Sequence, residues 1–229
     1  MIQASLAGLA EYGSSPLRIQ RDDIPVLIYS SLGLGLLLNS DVRLFAQLAQ
    51  GDARKEWLNQ SMPTVSTIGE GWSEALLVLL GYAAGNDRLS RTSGTALESL
   101  VVTAVFAEGL KLAAWSNRPS QNDQQHRFFA YDQSSQGMPS GHTFSAFALA
   151  EVYGSEYGRF IPYTLAAIIG YSRIYNQAHW PSDVFAGAGL GILAGSQAQR
   201  LAHAHGAPVL RLSATETGNT PVLSAELNF

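Results

Sequence analysis

The stretch that decides the fold runs from Pro139 to Asp183, PSGHTFSAFALAEVYGSEYGRFIPYTLAAIIGYSRIYNQAHWPSD. It reads as helix after helix, with no strand between. One helix starts around Ser140 and continues to about Tyr153, a second covers about Ile161–Ile174, and a third starts near Pro181 and reaches about Leu201. Working upstream, Leu97, Leu100, Val101, Val105 and Leu110 recur at helical spacing and predict a helix over about Gly94–Trp115. Further helices are expected at about Gly71–Ala84 and at Asp41–Gln50, the latter with Val42, Leu44, Phe45 and Leu48 on one face. The first begins near Asp22-Asp23, with Pro25 just inside, and runs apolar to Leu38. Downstream, Val209–Thr215 and Val222–Phe229 alternate around Gly218-Asn219, a hairpin pattern, with a plain tail as the other reading. The expectation is an all-α bundle of about six to seven helices in a single domain. Its core spans about 22–201, with 206–229 as a tail or short β-hairpin.

Composition narrows the class. The chain has 229 residues, enough for one sizeable core and short for two domains. Charged residues make up 14%, against roughly 25% in an ordinary soluble domain, so much of the surface must be packed away or rest against a membrane. Mean hydropathy is only +0.05, and the longest uncharged run outside the motif region, Ile24 to Ser40, is short for a bilayer span. These numbers favour a soluble or peripherally membrane-bound helical protein; an integral membrane protein stays open, because Gly- and Ala-rich helices of this kind also occur in polytopic enzymes. A net charge of −4 with no basic run gives no sign of a nucleic-acid partner. With no cysteine, disulfides and thiolate metal sites are excluded. The start, Met1-Ile2-Gln3-Ala4, lacks a basic segment followed by an apolar one, so no leader is expected within this sequence.

Three clusters carry chemistry. The first is Lys111 followed by Arg118-Pro119, the second Pro139-Ser140-Gly141-His142, and the third Ser172-Arg173, then His179, then Asp183. A phosphoryl group in transfer spreads negative charge over three oxygens, and its catalysis is mostly positioning and charge stabilisation. Lys111, Arg118 and Arg173 supply three cations for those oxygens: two planar forks and one point charge. Ser140 adds a hydroxyl, and Gly141 lets backbone N–H approach at a helix N-terminus, where an anion is favoured. Two histidines complete the set. Asp183, four residues after His179, can hold one imidazole nitrogen and leave the other free to attack, which makes His142 the general acid. No metal is needed in this scheme, because the cations do its electrostatic work.

Taken singly, each cluster has an ordinary reading as a helix end, a helix stop or an N-cap. Together, in this order and spacing, they resemble the type 2 phosphatidic acid phosphatase superfamily, which includes bacterial acid phosphatases, lipid phosphate phosphatases and vanadium-dependent haloperoxidases. The resemblance covers about Lys111 to Asp183. It implies Lys111, Arg118, Ser140, Gly141 and Arg173 as phosphate-binding residues, His179 as nucleophile, His142 as acid and Asp183 as the partner of His179. Met138 departs from it, standing where an aromatic or small residue is more familiar. The expected activity is metal-independent hydrolysis of phosphomonoesters through a phosphohistidine on His179, on a phosphorylated small molecule, a lipid phosphate or a polyprenyl diphosphate. The alternative is a haloperoxidase, with vanadate as cofactor in the same cage; in a phosphatase, vanadate is an inhibitor and no cofactor is expected. The resemblance and the absence of cysteine place the protein in the periplasm or cell envelope, with a membrane surface as a further partner. The polar loop Ser116–Pro139 is too long for an idle connector and is expected to shape the entrance. His126, His203 and His205 belong to no motif and are expected to have no role in the site. Packing is the first expectation for Trp115, Trp180, Phe128, Phe129 and Tyr131, with Trp180 the best placed to line the pocket. Gly187, Gly189 and Gly191 mark close helix packing.

Overall fold

The computed structural model of the chain describes residues 19–50, 55–84, 86–121, 124–131 and 136–205, and the backbone of 209–217 and 220–228. A short 3₁₀ turn, Arg21–Asp23, leads into α1 (Ile24–Leu38), which carries Pro25 in its first turn. Then follow α2 (Asp41–Ala49), α3 (Glu56–Ile68), α4 (Gly71–Ala83), α5 (Asp87–Ala114), α6 (Gly141–Tyr157), α7 (Phe160–Tyr175) and α8 (Pro181–His205). Two strands close the order, β1 (Val209–Thr217) and β2 (Thr220–Asn228), paired antiparallel with Leu212 opposite Ala225. The expected turn at Gly218-Asn219 and the faces of the hairpin side chains lie outside the described residues. The fold class is all-α, as expected.

The described residues form eight α-helices rather than six or seven; the addition is α3. Its sequence, EWLNQSMPTVSTI, shows weak apolar periodicity, and Pro63 sits inside it. An interior proline removes one helical hydrogen bond and argues against a helix from sequence alone. Packing overrides that cost: Leu58 and Met62 bury against Tyr175 of α7. In addition, Asn176 Nδ2 donates to the Met62 carbonyl at 3.1 Å and the Tyr175 hydroxyl donates to Asn59 Oδ1 at 2.8 Å.

The buried face of α2 and the start of α5 differ from expectation. On α2 the buried line is Asp41, Phe45 and Ala49, while Val42 and Leu48 are exposed. α5 begins seven residues earlier than the apolar pattern indicated, at Asp87, with Asn86 Oδ1 accepting from the Leu89 N–H at 3.1 Å as its N-cap. It buries small and polar residues, among them Ser93, Ala96, Ser99 and Thr103, and turns Val101 and Val105 outward. Small residues let helix backbones approach closely, a packing mode that does not rely on expelling water between apolar faces.

α6 sits at the centre, packed by α5, α7 and α8. It is buried nearly all round, which explains why its sequence carries no single apolar stripe. The seam with α8 depends on glycine. A Cβ on Gly187 would lie 2.6 Å from the Ser140 carbonyl oxygen, and one on Gly195 would lie 2.6 Å from that of Ala148. The glycine run is therefore close helix packing, and its upper end holds the start of α8 against the start of α6.

Candidate active site

The three motif clusters arrive from different elements and meet at one end of this seam. α6 starts at Gly141, with Ser140 in extended backbone as its N-cap residue. The Ser140 N–H donates to the Asp183 carbonyl at 3.0 Å, tying the first turn of α8 to the N-terminus of α6. The Thr143 hydroxyl donates to Ser140 Oγ at 3.0 Å, which orients that oxygen. Lys111 lies in the last turn of α5, and its Nζ is 3.5 Å from where a Cβ on Gly141 would stand. The ammonium thus lies over the free N–H groups of α6, where an anion would sit. Glu108 Oε1 holds it from the solvent side at 2.5 Å.

α5 ends on Trp115 in the left-handed conformation (φ 40°), which turns the chain into the segment carrying Arg118. Arg173 occupies the last turn of α7, and its guanidinium donates to Ser66 Oγ of α3. The chain then folds tightly back: the N–H groups of Ala178 and His179 both donate to the Arg173 carbonyl, at 3.0 and 3.3 Å. This turn spaces Arg173 from His179 and delivers the imidazole beside the guanidinium.

His142, in the first turn of α6, is the point where the charges converge. Burial, and then the charges of Arg173, His179, Lys111 and Arg118, push its pKa down to about 3. His179 is buried, and its pKa is lowered chiefly by that burial, while Asp183 works in the opposite direction. His179 Nδ1 lies 3.5 Å from Asp183 Oδ2, and the same oxygen accepts the Trp180 N–H at 2.9 Å. With Nδ1 turned to the carboxylate, Nε2 is the nitrogen available for chemistry. The residues expected from the sequence are therefore brought together: Lys111, Arg118, Ser140, Gly141, His142, Arg173, His179 and Asp183.

Three residues of the surroundings were not expected from the sequence to have a role. Ser66 belongs to α3, the helix that Pro63 disguised. Asp41, which reads as an ordinary first-turn acid of α2, is buried and accepts the Ser182 N–H at 2.8 Å and the Ser182 hydroxyl at 2.5 Å. His126, expected to have no role, packs with its ring stacked on Trp180 (centroids 5.2 Å, interplanar angle 19°) between Asp41 and Asp183. Its one signal was its place in a polar loop too long to be idle. His203 matches expectation, exposed on α8 with Nδ1 at the Gln199 carbonyl. The side chain of His205 lies outside the described residues. Trp180 is fully buried: it donates Nε1–H to the Asn117 carbonyl at 3.0 Å and meets Phe45 edge-on, so it packs rather than lines an open pocket.

Beside Lys111 and His142 opens a cavity of about 350 Å³ between α4, α5 and α6, walled by Leu97, Leu100, Val101 and Ala104. At Glu74 it adjoins a second apolar cavity of about 440 Å³ between α4, α6 and α7. The polar cage thus has an apolar approach along the helices.

Comparison with known proteins gives three findings. Residues 93–204 match the PAP2 superfamily. Over 63 residues the chain is 51% identical to the lipid A 1-phosphatase of Porphyromonas gingivalis, a match that spans 25% of this chain and only 14% of that relative's length. The fold is similar to the crystal structure of LpxE from Aquifex aeolicus (TM-score 0.59, 24% identity, 70% of this chain and 94% of that one). It is also similar to the first transmembrane PAP2 type phosphatidylglycerolphosphate phosphatase from Bacillus subtilis (TM-score 0.64, 18% identity, 81% and 98%). At these identities the two structures establish the fold.

Proposed function

Because the chain belongs to the PAP2 superfamily, we propose that it is a metal-independent phosphatase that removes a phosphate monoester from a membrane lipid through a phosphohistidine on His179. The observation that carries this reading is the cage itself: three cations and a helix N-terminus around two histidines, opening onto an apolar cavity beside Lys111 and His142.

The phosphate oxygens are held by Lys111, Arg118 and Arg173, with the first N–H groups of α6 and Ser140 beside them. His179 Nε2 attacks phosphorus while the bond to the leaving oxygen breaks, and His142 gives its proton to that oxygen. Water then attacks the phosphohistidine and passes a proton to His142; inorganic phosphate leaves and His179 is regenerated. Asp183 keeps the hydrogen on Nδ1 and stabilises the positive charge that the ring acquires when Nε2 is phosphorylated. In the empty cage His142 is held neutral by burial first and by the surrounding cations second. A bound phosphate dianion cancels that charge and restores the proton His142 must donate.

The lipid part of the reading rests on the surface. Leu36 of α1, Leu80 of α4, Val105 of α5 and Phe160 of α7 are each more than half exposed, outward apolar side chains of the kind that mark a membrane or partner surface. Among the described residues no single helix is long and apolar enough to cross a membrane, but Arg21–Leu38 together with Asp41–Ala49, bent by 83°, passes as a pair. We place this flank against lipid, in the cell envelope, with the substrate tail entering along α4 and α5. The name of the Porphyromonas gingivalis relative agrees with a phosphorylated lipid as substrate class.

The test is release of phosphate from a lipid phosphate in mixed micelles with chelator present, wild type against His179→Ala, with acid quenching to trap labelled phosphohistidine. Turnover that survives the chelator, with label on wild type and none on the variant, is the expected result. Activity abolished by the chelator, or retained by His179→Ala, overturns it.

A further inference from the structure

We propose that His126 and Asp41 extend the nucleophile's support behind Asp183, forming a buried line Asp41–His126–Asp183–His179 in which His126 is a positioning residue for the phosphatase reaction. The inference rests on the phosphatase reading for the role of His179, and on geometry for the rest.

The four groups come from separate places: α2, the long loop, the first turn of α8 and the turn before it. Asp41 Oδ2 is 2.7 Å from His126 Nδ1, His126 Nε2 is 3.7 Å from Asp183 Oδ1, and Asp183 Oδ2 is 3.5 Å from His179 Nδ1. All four side chains are at most 4% exposed. His126 Nε2 and Asp183 Oδ1 have no hydrogen-bond partner among the described residues. Across 3.7 Å each faces the other, and buried polar atoms left unanswered are costly.

Hydrogen accounting sharpens this. The contact with Asp41 requires a hydrogen on Nδ1. If Nε2 carried none, its lone pair would face those of Asp183 Oδ1 across 3.7 Å of protein. The proposed line therefore needs a hydrogen on Nε2 as well, directed at Asp183 Oδ1. The other neighbours fit: Ser182 Oγ stands 3.4 Å from Nδ1, and the ring stacks on Trp180 and lies tilted against Phe128 at 4.8 Å. An indole face favours a cationic ring. With Oδ1 drawn to His126 and Oδ2 held by the Trp180 N–H, the carboxylate of Asp183 is fixed so that Oδ2 addresses His179. Held in that orientation, Asp183 keeps the Nδ1 hydrogen on His179, and the phosphohistidine keeps its positive charge. That makes it a good leaving group when water attacks. No bond forms or breaks at His126.

Two measurements decide the matter. First, His126→Phe keeps the ring against Trp180 but removes both nitrogens. The expected result is kcat reduced roughly 10- to 100-fold, the usual scale for losing a group that orients a working residue, with KM and vanadate inhibition changed less than threefold and labelled phosphohistidine accumulating during turnover. Second, because the variant leaves Asp41 buried without its partner and can fail to fold, ¹⁵N-histidine NMR on the wild type reads the state directly. His126 should show both nitrogens protonated at pH 7, and the signal should change in Asp41→Asn. A His126 with one bare nitrogen, or a folded His126→Phe with kcat within twofold of wild type, overturns the proposal. If the wild type hydrolyses no phosphate probe, the phosphatase reading falls instead, and the NMR result still decides whether the line of four exists.

Discussion

Replacing Gly187 with alanine tests the link between helix packing and the site. The added Cβ would stand 2.6 Å from the Ser140 carbonyl oxygen, 3.2 Å from Thr143 Cβ and 3.3 Å from the Phe144 nitrogen. The nearest of these is backbone at the N-terminus of α6 and cannot rotate away. Restoring ordinary contact near 3.4 Å requires α8 and α6 to separate by about 0.8 Å at this level. Overpacking of this kind costs about 1–3 kcal/mol, and a gain of about 1 kcal/mol in helix propensity offsets part of it, leaving a net loss of about 2 kcal/mol at a backbone clash this close. The functional loss should be larger than the stability loss implies. The separation falls where the Ser140 N–H reaches the Asp183 carbonyl, so it pulls the anion site of α6 away from the Asp183–His179 pair. A misplacement near 1 Å in such a site costs on the order of 100-fold in rate. The assay is kcat/KM on a lipid phosphate beside thermal unfolding in the same detergent. Gly35→Ala on α1 is the matched control: its Cβ meets nothing within 4 Å, and it should be neutral or stabilising with full activity. A Gly187→Ala protein with wild-type activity and melting temperature would refute the claim that the glycine seam sets the geometry of the site.

Other outcomes follow from the same geometry. His142→Ala should lose roughly 100- to 10,000-fold on alkyl phosphates, the scale of general acid catalysis, and far less on esters with a good leaving group; equal losses on both would remove His142 as the acid. Ser66→Ala releases the Arg173 guanidinium from its buried partner and should raise KM about tenfold with a smaller effect on kcat, as expected for one hydrogen bond to a charged group. Because the folded cage holds the pKa of His142 near 3, below the usual 6.5, the unfolded chain binds a proton there that the folded chain does not. Stability from this group is complete above pH 6.5 and is lost as pH falls toward 3, so the melting temperature should drop with acidification and recover when vanadate is added. For the same reason vanadate binding at pH 6–7 should take up protons, measured by calorimetry in buffers of different ionisation heat; no uptake would contradict the proposed role of the cations.

The motif residues were legible in the sequence because their chemistry is local in type: cations, a Gly at a helix start, and a His four residues from an Asp. The helices α6, α7 and α8 were legible because Pro181 and the Pro-Ser-Gly-His run punctuate long helical stretches. Less was legible where tertiary contact overrode local preference. α3 forms despite Pro63 because α7 gives Leu58 and Met62 a surface to bury against, and with it come Ser66 and the brace on Arg173. The inward face of α5 was not legible because apolar periodicity says that a stripe shares one side of a helix, not which side faces the bundle; small residues pack the interior, and Val101 and Val105 turn out. By itself, then, the sequence determined the fold class, the order of most helices and the motif residues that the fold gathers at the N-terminus of α6. Only the tertiary structure placed Asp41, His126 and Asp183 in one buried line. These three residues lie in a first turn, a loop and another first turn, far apart along the chain, and no spacing rule connects them. What joins them is the packing of α2 and α8 around Trp180, which buries their side chains beside one another.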